Sequence, residues 1–362
     1  MSARSEERSD EPRSRERRQA LTRTVHVVLP GGVDDPRTPS GGNSYDRRVC
    51  DGLRRDWDVH EIAIPGPWPM PGVPQALADA LAALPDGATV LLDGLVASAH
   101  PEILEPVAAR LRLIVLVHLP LGDETGLEPD TAADLTARER RTLHAATAVL
   151  ATSEAAAHRI RDRYDLCDVH VAVPGVDPAP LTTPSADGGR LLCVAAVVPR
   201  KGQDVLVEAL AACAGLDWTC VCVGAVDRDP DFANALGGGR VEFVGTRTGA
   251  ALDAGYAAAD LLVLPSRAET YGMVVTEALA RGVPVLGTSV GGVAEALGAA
   301  PDGTVPGVLV PPDDPAALAA AIRAWLSDPE LRQRRTAAAR ERRATLPDWA
   351  ETTRRVSEVL HG

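Results

Sequence analysis

Short runs rich in valine and leucine alternate with Ala-, Leu- and Arg-rich segments along almost the whole chain. Strands that are apolar at nearly every position are buried on both faces, and strands separated by helices pair in parallel. The pattern therefore predicts an α/β fold in which parallel sheets carry helices on both faces. The predicted strands are residues 25–29, 59–64, 89–92, 113–117, 149–151, 169–173, 191–197, 220–223, 241–244, 261–264, 283–286 and 308–310.

This alternation stops once, between residues 174 and 189, where prolines and glycines cluster. Such a stretch is typical of a linker, and 362 residues exceed one ordinary domain. We therefore predict two Rossmann-like, doubly wound domains that face each other across a cleft. Ligands of such sheets bind beyond the carboxyl ends of the strands, so the residues that follow strands are the candidates for function. The predicted division is a disordered charged tail over residues 1–20, domains over 21–174 and 190–346, a linker over 175–189 and a last helix over 347–362.

Composition excludes several classes of protein. The formal net charge of -13 argues against nucleic acid or an anionic membrane as the main partner. Six cysteines without a CxxC pair fit reduced thiols better than disulfides or a zinc cluster. No apolar stretch is long enough to span a membrane, and no apolar block follows the first basic residues. We therefore expect a cytoplasmic protein with neither a secretory signal nor an integral membrane segment.

Lysine is almost absent from the chain. Of the 37 basic residues, Lys201 alone is a lysine, and it follows Arg200 directly after the first predicted strand of the second domain. A bias toward arginine explains the composition and makes Lys201 a candidate for a place where a compact ammonium is needed, the alternative being that one lysine survived by chance. Two cations at a strand end can neutralise a departing diphosphate, although a solvated basic pair is the alternative.

Two glutamates accompany a predicted helix start behind the buried strand 261–264. Glu269 lies in the loop, and Glu277 lies within the helix predicted from Gly272 to Gly282. Free amides and the dipole at a helix start suit a diphosphate. At ~1.5 Å per helical residue, Glu277 is roughly 8 Å from the helix start, about the separation of the two sugars of a nucleotide sugar. We expect the pair to bind sugar and ribose hydroxyls, the alternative being a helix-entry charge and a solvated charge.

Three further candidates follow strands of the first domain. Gly41, Gly42 and Asn43 lie in the predicted loop before the first helix, where glycines let a ligand approach the backbone. A plain flexible turn explains them nearly as well, and Gly31 and Gly32 compete for the same role. His118 and Asp93 each follow an apolar strand and are predicted to point into the cleft, with a structural role as the alternative.

Together these motifs resemble the retaining glycosyltransferases of family 4, the glycosyl transferases group 1, which have the two-domain GT-B fold. The residues that carry the resemblance are Gly41 and Gly42, Arg200 and Lys201, and Glu269, Gly272 and Glu277. The family pattern E-x-F-G-x-x-x-x-E is present with Tyr271 in place of phenylalanine. The resemblance covers most of the chain after the tail and is most specific in the C-terminal half.

The resemblance assigns roles to these residues. It implies that Arg200 and Lys201 bind the diphosphate, that Glu269 contacts the transferred sugar, and that Glu277 contacts the ribose. His118 would face the donor sugar or the acceptor, and the last helix would cross back onto the first domain. Further donor contacts would come from Gly42 and from backbone amides of Thr270, Tyr271, Gly272, Met273 and Val274. Acceptor contacts would come from Gly41, Asn43 and Asp93.

The implied reaction is transfer of a sugar, as by a retaining hexosyltransferase, from a nucleotide-diphosphate-sugar to an acceptor hydroxyl. The acceptor class (small molecule, lipid-linked or glycan) stays open. No DxD-type pair lies at a strand end, so we expect no metal and no cofactor besides the donor. The alternatives are a nucleotide-sugar epimerase, a sugar phosphorylase, or a nucleotide-sugar-binding protein without turnover. A Rossmann dehydrogenase is disfavoured because no G-x-G-x-x-G follows the first strand.

Overall fold

The computed structural model describes residues 23–37, 39–66, 68, 75–124, 126–237 and 239–362. In these residues twelve strands form two six-stranded sheets, and every paired strand is parallel to its neighbour. Helices connect the strands, so the predicted α/β class with two parallel sheets is confirmed. The tail predicted over residues 1–20 lies outside the described residues.

Each predicted strand overlaps a strand of the structure. The first sheet contains β1 (Arg23–Pro30), β2 (Trp57–Ile64), β3 (Thr89–Asp93), β4 (Arg112–Val117), β5 (Ala148–Ala151) and β6 (His170–Val171). The second contains β7 (Arg190–Val194), β8 (Thr219–Val223), β9 (Val241–Phe243), β10 (Leu261–Leu264), β11 (Val285–Thr288) and β12 (Gly307–Val310). The largest difference is at β7, which ends at Val194 rather than at Val197.

Helices cover the faces of both sheets. They are α1 (Gly41–Leu53), α2 (Gln75–Ala82), α3 (Gly94–Ala97), α4 (Pro101–Val107), α5 (Pro129–Ala145), α6 (Glu154–Tyr164), α7 (Gln203–Ala211), α8 (Pro230–Ala235), α9 (Gly249–Ala258), α10 (Met273–Ala280), α11 (Val293–Leu297), α12 (Pro315–Ser327), α13 (Pro329–Arg342) and α14 (Trp349–His361). Among the described residues, none of these helices combines the length and apolar character that crossing a bilayer requires.

The last helix, α14, packs on the first domain although it follows the second in sequence. Val356 and Leu360 are buried in the same core as residues of β1 and α1. Trp57 Nε1 donates a hydrogen bond to Ser357 Oγ at 2.9 Å, which fixes α14 against the start of β2. The first domain is therefore completed by residues from the end of the chain.

Strand order places the loops that carry the candidate residues. The second sheet has the order β12-β11-β10-β7-β8-β9, so the direction of winding reverses between β7 and β10. In the first sheet, of order β2-β1-β3-β4-β5-β6, it reverses between β1 and β3. At such a switch point the loops beyond the two strands leave a crevice between them, which is where ligands of open α/β sheets bind.

The loop predicted around Gly41 and Gly42 is instead the first turn of α1. Ser40 is the N-cap, and its Oγ accepts a hydrogen bond from Asn43 N at 3.0 Å. The apolar periodicity begins only at Tyr45, and glycine is a poor helix former, so the sequence predicted a later start. The serine cap offsets that preference, because it satisfies an amide that would otherwise lack a partner.

Candidate active site

Lys201 and Glu269 meet at the switch point of the second sheet. Lys201 Nζ donates to Glu269 Oε1 at 2.6 Å. Lys201 ends a 3-10 turn that follows β7, and Glu269 lies in the loop after β10. Because β7 and β10 are neighbours in the sheet, these two loops converge although they are distant in sequence. Both side chains are largely buried, with exposed fractions of 17% for Lys201 and 9% for Glu269.

Glu269 is held as a carboxylate. Burial raises its pKa, but the Lys201 ammonium and a hydrogen bond from Ser266 Oγ (2.7 Å to Oε1) outweigh burial, so the pKa lies below its ordinary value. Both protein donors use Oε1. Among the described residues nothing donates to Oε2, so this oxygen is available to a ligand hydroxyl.

Arg200 and Gly202 fit the two loops together. Arg200 Nη1 donates to the Ala268 carbonyl at 3.2 Å, and Arg267 N donates to the Arg200 carbonyl at 2.8 Å. Gly202 has φ of +68°, and a Cβ there would lie 2.1 Å from the Pro265 carbonyl oxygen. Only glycine permits this approach. The turn that carries Lys201 must therefore be followed by glycine, because the neighbouring loop leaves no room for a side chain at residue 202.

Arg267 braces the same loop but its charge is already paired. Its Nη1 and Nη2 donate to the carboxylate of Asp204 at 2.9 and 2.8 Å, and its Nε donates to Asp313 at 2.5 Å. Arg267, paired with two carboxylates, therefore has a structural role. Lys201 is paired with Glu269 and Arg200 has no carboxylate partner among the described residues, so these two cations and one carboxylate leave a net positive charge at the crevice.

The start of α10 provides unpaired amides beside these cations. Gly272 is the N-cap with φ of +92°. In the described part of the chain, the amides of Gly272, Met273 and Val274 donate to no protein acceptor. Together with the helix dipole, they form a site for an anion. The Tyr271 side chain is only 4% exposed and packs in the core, so it can offer a ligand little beyond its backbone.

Glu277 lies one turn further along α10 and is held by Tyr256. The Tyr256 hydroxyl donates to Glu277 Oε2 at 2.7 Å, and Arg281 stacks over the Tyr256 ring at 4.6 Å. Burial raises the pKa of Glu277 above its ordinary value, and the hydrogen bond and Arg281 reduce that shift only in part. As with Glu269, one carboxylate oxygen is used by the protein, and the other accepts from no described residue.

A second charged cluster lies at the end of β4 in the first domain. His118 Nε2 is 2.9 Å from Asp46 Oδ1, and side-chain atoms of Asp46, Asp93 and His118 lie within 4.8 Å of one another. Burial opposes the imidazolium, but Asp46 and Asp93 outweigh burial and raise the pKa of His118 to about 9. Burial and the neighbouring Asp46 raise the pKa of Asp93. His118 is therefore a cation at neutral pH.

Asp93 offers less to the cleft than its place after a strand suggested. Its Oδ1 accepts from Leu95 N at 2.7 Å, which caps α3. The residue is 4% exposed, so its carboxylate acts chiefly on Asp46 and His118. An acidic side chain that follows a buried strand can accept a hydrogen bond from a free amide at the start of the next helix. This hydrogen bond turns the side chain of Asp93 away from the cleft.

The first turn of α1 lies between His118 and the start of α10. A Cβ on Gly42 would be 3.2 Å from His118 Cδ2, and a Cβ on Gly41 would be 3.5 Å from Met273 Sδ. Asn43 follows, partly exposed, with its amide bonded to the N-cap Ser40. The structure thus brings the candidates of both domains to facing edges of one cleft.

Two hydrogen-bonded contacts link the domains beside this cleft. Ser153 Oγ donates to the Thr270 carbonyl at 2.6 Å. The Glu295 carboxylate, in α11, accepts from the amides of Glu154 and Ala155 at 2.9 and 2.7 Å. The start of α6 in the first domain is therefore tied to the loop that carries Glu269.

Sequence reasoning did not single out Asp46, Tyr256, Ser153 or the glycines after β11. The glycine pair was visible: Gly291 has φ of +46°, and a Cβ there would lie 1.6 Å from the Glu269 carbonyl oxygen. Glycines that follow a strand were weighed at Gly41, and the same reasoning applies here. Asp46 and Tyr256 gave no such signal, because each is a single residue within a helix.

Comparison with known proteins supports the architecture. Residues 184–342 match the family described as glycosyl transferases group 1. The D-inositol 3-phosphate glycosyltransferase of Salinispora arenicola (strain CNS-205) is 33% identical over 255 residues, 61% of this chain and 56% of that protein. The match thus spans little more than half of the relative's length.

Solved structures agree over nearly the whole chain. Sucrose-phosphate synthase from Thermosynechococcus elongatus has a TM-score of 0.73 at 20% identity and covers 94% of this chain and 98% of its own. The Anabaena protein HepE, solved with UDP and glucose, has a TM-score of 0.72 at 20% identity, with coverage of 94% and 100%. At such identity the likeness concerns the fold. Residues 184–342 are therefore similar to the glycosyl transferases group 1, and the chain has the GT-B fold.

Proposed function

We propose that this protein is a retaining glycosyltransferase that moves a sugar from a nucleotide-diphosphate-sugar to an acceptor hydroxyl without a metal ion. The observation that carries the proposal is the Lys201–Glu269 pair at the switch point, with Arg200 and the free amides of α10 beside it. It joins positive charge for a leaving diphosphate to a carboxylate for sugar hydroxyls.

The positive groups act on the leaving group. As the bond from the anomeric carbon to the diphosphate breaks, negative charge develops on the phosphate oxygen. Lys201, Arg200 and the amides of Gly272 to Val274 are fixed before the reaction, so they stabilise that charge without reorganisation. This set would take the place that a divalent cation holds in metal-dependent transferases.

The two carboxylates orient the donor. Glu269 and Glu277 each keep one oxygen for a ligand hydroxyl, and in the chain Glu269 precedes the free amides and Glu277 follows them. With the diphosphate at the amides, Glu269 would hold the transferred sugar and Glu277 the ribose. Holding both ends of the donor fixes the anomeric carbon relative to the acceptor.

Retention is favoured by the charge of His118. A general base must be neutral to accept a proton, and the raised pKa keeps His118 protonated at neutral pH. The acceptor proton would then pass to the leaving phosphate oxygen, on the face from which the acceptor attacks. The product would keep the anomeric configuration of the donor.

One observation favours a second candidate, an inverting transfer with His118 as base. The contact between Asp46 and His118 Nε2 is the kind that orients a catalytic histidine. The two candidates differ in the anomer of the product and in the effect of His118→Ala.

The first experiment identifies the donor and then the product. Thermal shift with UDP, GDP and ADP finds the base, since a ligand that binds the native state raises the melting temperature. UDP is tested first because HepE was solved with it, and inositol 3-phosphate is a first acceptor because of the relative's name. Transfer from the matching nucleotide sugars is then followed by NMR, with and without EDTA.

We expect an α-linked donor to give an α-glycoside at the same rate in EDTA. A β-glycoside whose formation His118→Ala abolishes would establish the inverting candidate. Loss of activity in EDTA that manganese or magnesium restores would overturn metal independence. Epimerised donor, or phosphorolysis without transfer, would identify one of the other GT-B activities.

A further inference from the structure

The buried contact between Asp46 and His118 takes no part in binding the diphosphate or the ribose of the donor. Asp46 lies in the second turn of α1, and its side chain is 3% exposed against 18% for His118. Its Oδ1 meets His118 Nε2, and its Oδ2 is buried without a partner among the described residues. A buried carboxylate is unfavourable unless it is paired, so its presence beside a cleft residue calls for a role.

We propose that Asp46 is a positioning residue, which grips His118 through Nε2 and so presents Nδ1 to the substrate in the cleft. The inference rests on the proposed function, since it takes His118 to contact donor sugar or acceptor. It assigns Asp46 no contact with substrate.

The position of Asp46 is fixed by its neighbours. The Tyr45 hydroxyl donates to the Ala172 carbonyl at 2.9 Å, which anchors this turn of α1 to the residue after β6. The Tyr45 ring meets the His118 ring edge to face, with centroids 5.2 Å apart. The His118 ring is therefore held by a hydrogen bond at one edge and by packing on its face.

The remaining nitrogen of His118 is free. Nδ1 has no hydrogen-bond partner among the described residues, and it is not among the buried atoms that lack one. Rotation of the ring by half a turn would exchange the two edges and break the bond to Asp46. The bond at Nε2 therefore decides which nitrogen the cleft receives and whether it carries a proton.

The charged groups that face His118 come from two elements. Asp46 is on α1 and Asp93 ends β3, and among the described residues the ring of Tyr45 also contacts His118. Asp93 lies within 4.8 Å of Asp46 and His118, and burial and the neighbouring Asp46 raise its pKa, which favours the protonated acid. Asp93 thus lies beside the pair, while Asp46 bonds the histidine directly.

The test is a double-mutant cycle with Asp46→Asn and His118→Gln. Asparagine keeps the shape of aspartate but removes the charge, and glutamine removes Nδ1 while keeping a donor toward Asp46. Asp51→Asn, an exposed carboxylate on the same helix that pairs with Arg54, is the matched control. For each variant we measure kcat/KM for transfer between pH 6 and 10, the Kd for UDP, and melting temperature.

We expect Asp46→Asn to lower kcat/KM at least tenfold with an unchanged UDP Kd, and to move the alkaline limb toward neutral pH. Combined with His118→Gln it should add no further loss, because Asp46 acts through His118. Asp51→Asn should match the wild type. Wild-type turnover and pH profile in Asp46→Asn, or losses that add in the double variant, would overturn the inference.

A direct titration covers the case in which Asp46→Asn does not fold. The His118 resonance of the wild type is assigned in a proton NMR titration by its absence in His118→Gln. A midpoint well above the ordinary histidine value supports the grip of Asp46, and an ordinary midpoint overturns it. Absence of transfer by the wild type with every donor would refute the proposed function, and the titration would still decide whether Asp46 holds His118.

Discussion

The two clusters that face each other across the cleft differ in their balance of positive and negative charge. In the C-terminal domain, Lys201 and Arg200 outnumber the carboxylate of Glu269, and free helix amides add to the positive side. In the N-terminal domain, the Asp46 carboxylate pairs with the His118 cation, and Asp93, whose raised pKa favours the protonated acid, lies beside them.

The difference indicates which part of a substrate each side is built for. The surplus of positive charge in the C-terminal cluster suits a diphosphate, whose charge grows as it leaves. In the N-terminal cluster Asp46 is paired with His118, so the cluster offers one oriented donor and little net charge. That arrangement suits a hydroxyl group better than an anion.

Removing the surplus charge should have the largest effect. We expect Lys201→Ala and Arg200→Ala each to lower turnover by about 2–4 kcal/mol of transition-state stabilisation, roughly 30- to 900-fold, since each removes a charge that acts on the leaving group. Steady-state kinetics with circular dichroism checks this. Arg228→Ala is the control, because Arg228 is an exposed arginine of the same domain. Near-normal turnover in both variants would contradict the claim that the positive charge of the C-terminal cluster acts on the leaving diphosphate.

Replacing each carboxylate by an amide distinguishes the residue that binds the transferred sugar from the residue that binds the ribose. We expect Glu277→Gln to weaken nucleotide binding by about 1–3 kcal/mol, because a neutral amide accepts a weaker hydrogen bond from the ribose. Glu269→Gln should impair transfer more than nucleotide binding, since its partner is the transferred sugar. Isothermal titration with the nucleotide and kinetics with its sugar distinguish the two. Equal losses in both assays for both variants would contradict the assignment.

Most of the fold followed from the sequence, and the reason is local. A strand that is buried on both faces is apolar along its length and can be recognised from sequence alone. The predicted strands therefore differ from those of the structure only in their ends, as at Val194. The start of α1 was missed because glycines outweighed the serine cap in the prediction. The charged tail lies beyond what the structure describes.

The candidate site was predictable only where a motif was contiguous. Lys201 stood out by composition, and Glu269 and Glu277 by their spacing around a helix start; their roles stay predictions. Asp46 and Tyr256 could not be found, because their partners depend on which strands are neighbours. The sequence pattern does not indicate that α1 lies beside β4, so a contact such as that between Asp46 and His118 can be seen only in the folded structure.

The hydroxyl that supports Glu277 should have a smaller effect than Glu277 itself. Tyr256→Phe removes the hydrogen bond to Oε2 but keeps the packing of the ring beneath Arg281. We expect nucleotide affinity to fall by about 0.5–1.5 kcal/mol, roughly 2- to 12-fold. The pKa of Glu277 should rise further, so binding should weaken at a higher pH as the solution is acidified. An unchanged affinity and pH dependence would assign Tyr256 to packing alone.

The smallest effect in the neutral range should come from pH itself. The pKa of His118 is raised to about 9, so the imidazolium persists across neutral pH and is lost only as pH rises through about 9. Transfer should therefore be nearly constant from pH 7 to 8 and fall above that on the alkaline side. A pH–rate profile of kcat/KM measures this, with His118→Gln as the control that lacks the limb. Activity that rises as pH increases through 6 to 7 would mean that neutral histidine is the active form.

The return of α14 to the first domain also determines how the two halves can move. The chain crosses between the domains twice, after β6 and again before α14, and the crossings touch: Val176 N donates to the Pro347 carbonyl at 3.0 Å. With a single connecting segment, one domain could rotate about that segment relative to the other. Two connecting segments that are hydrogen-bonded side by side resist such rotation and allow hinge bending about one axis. The Lys201 and His118 clusters would then approach and separate along a fixed arc.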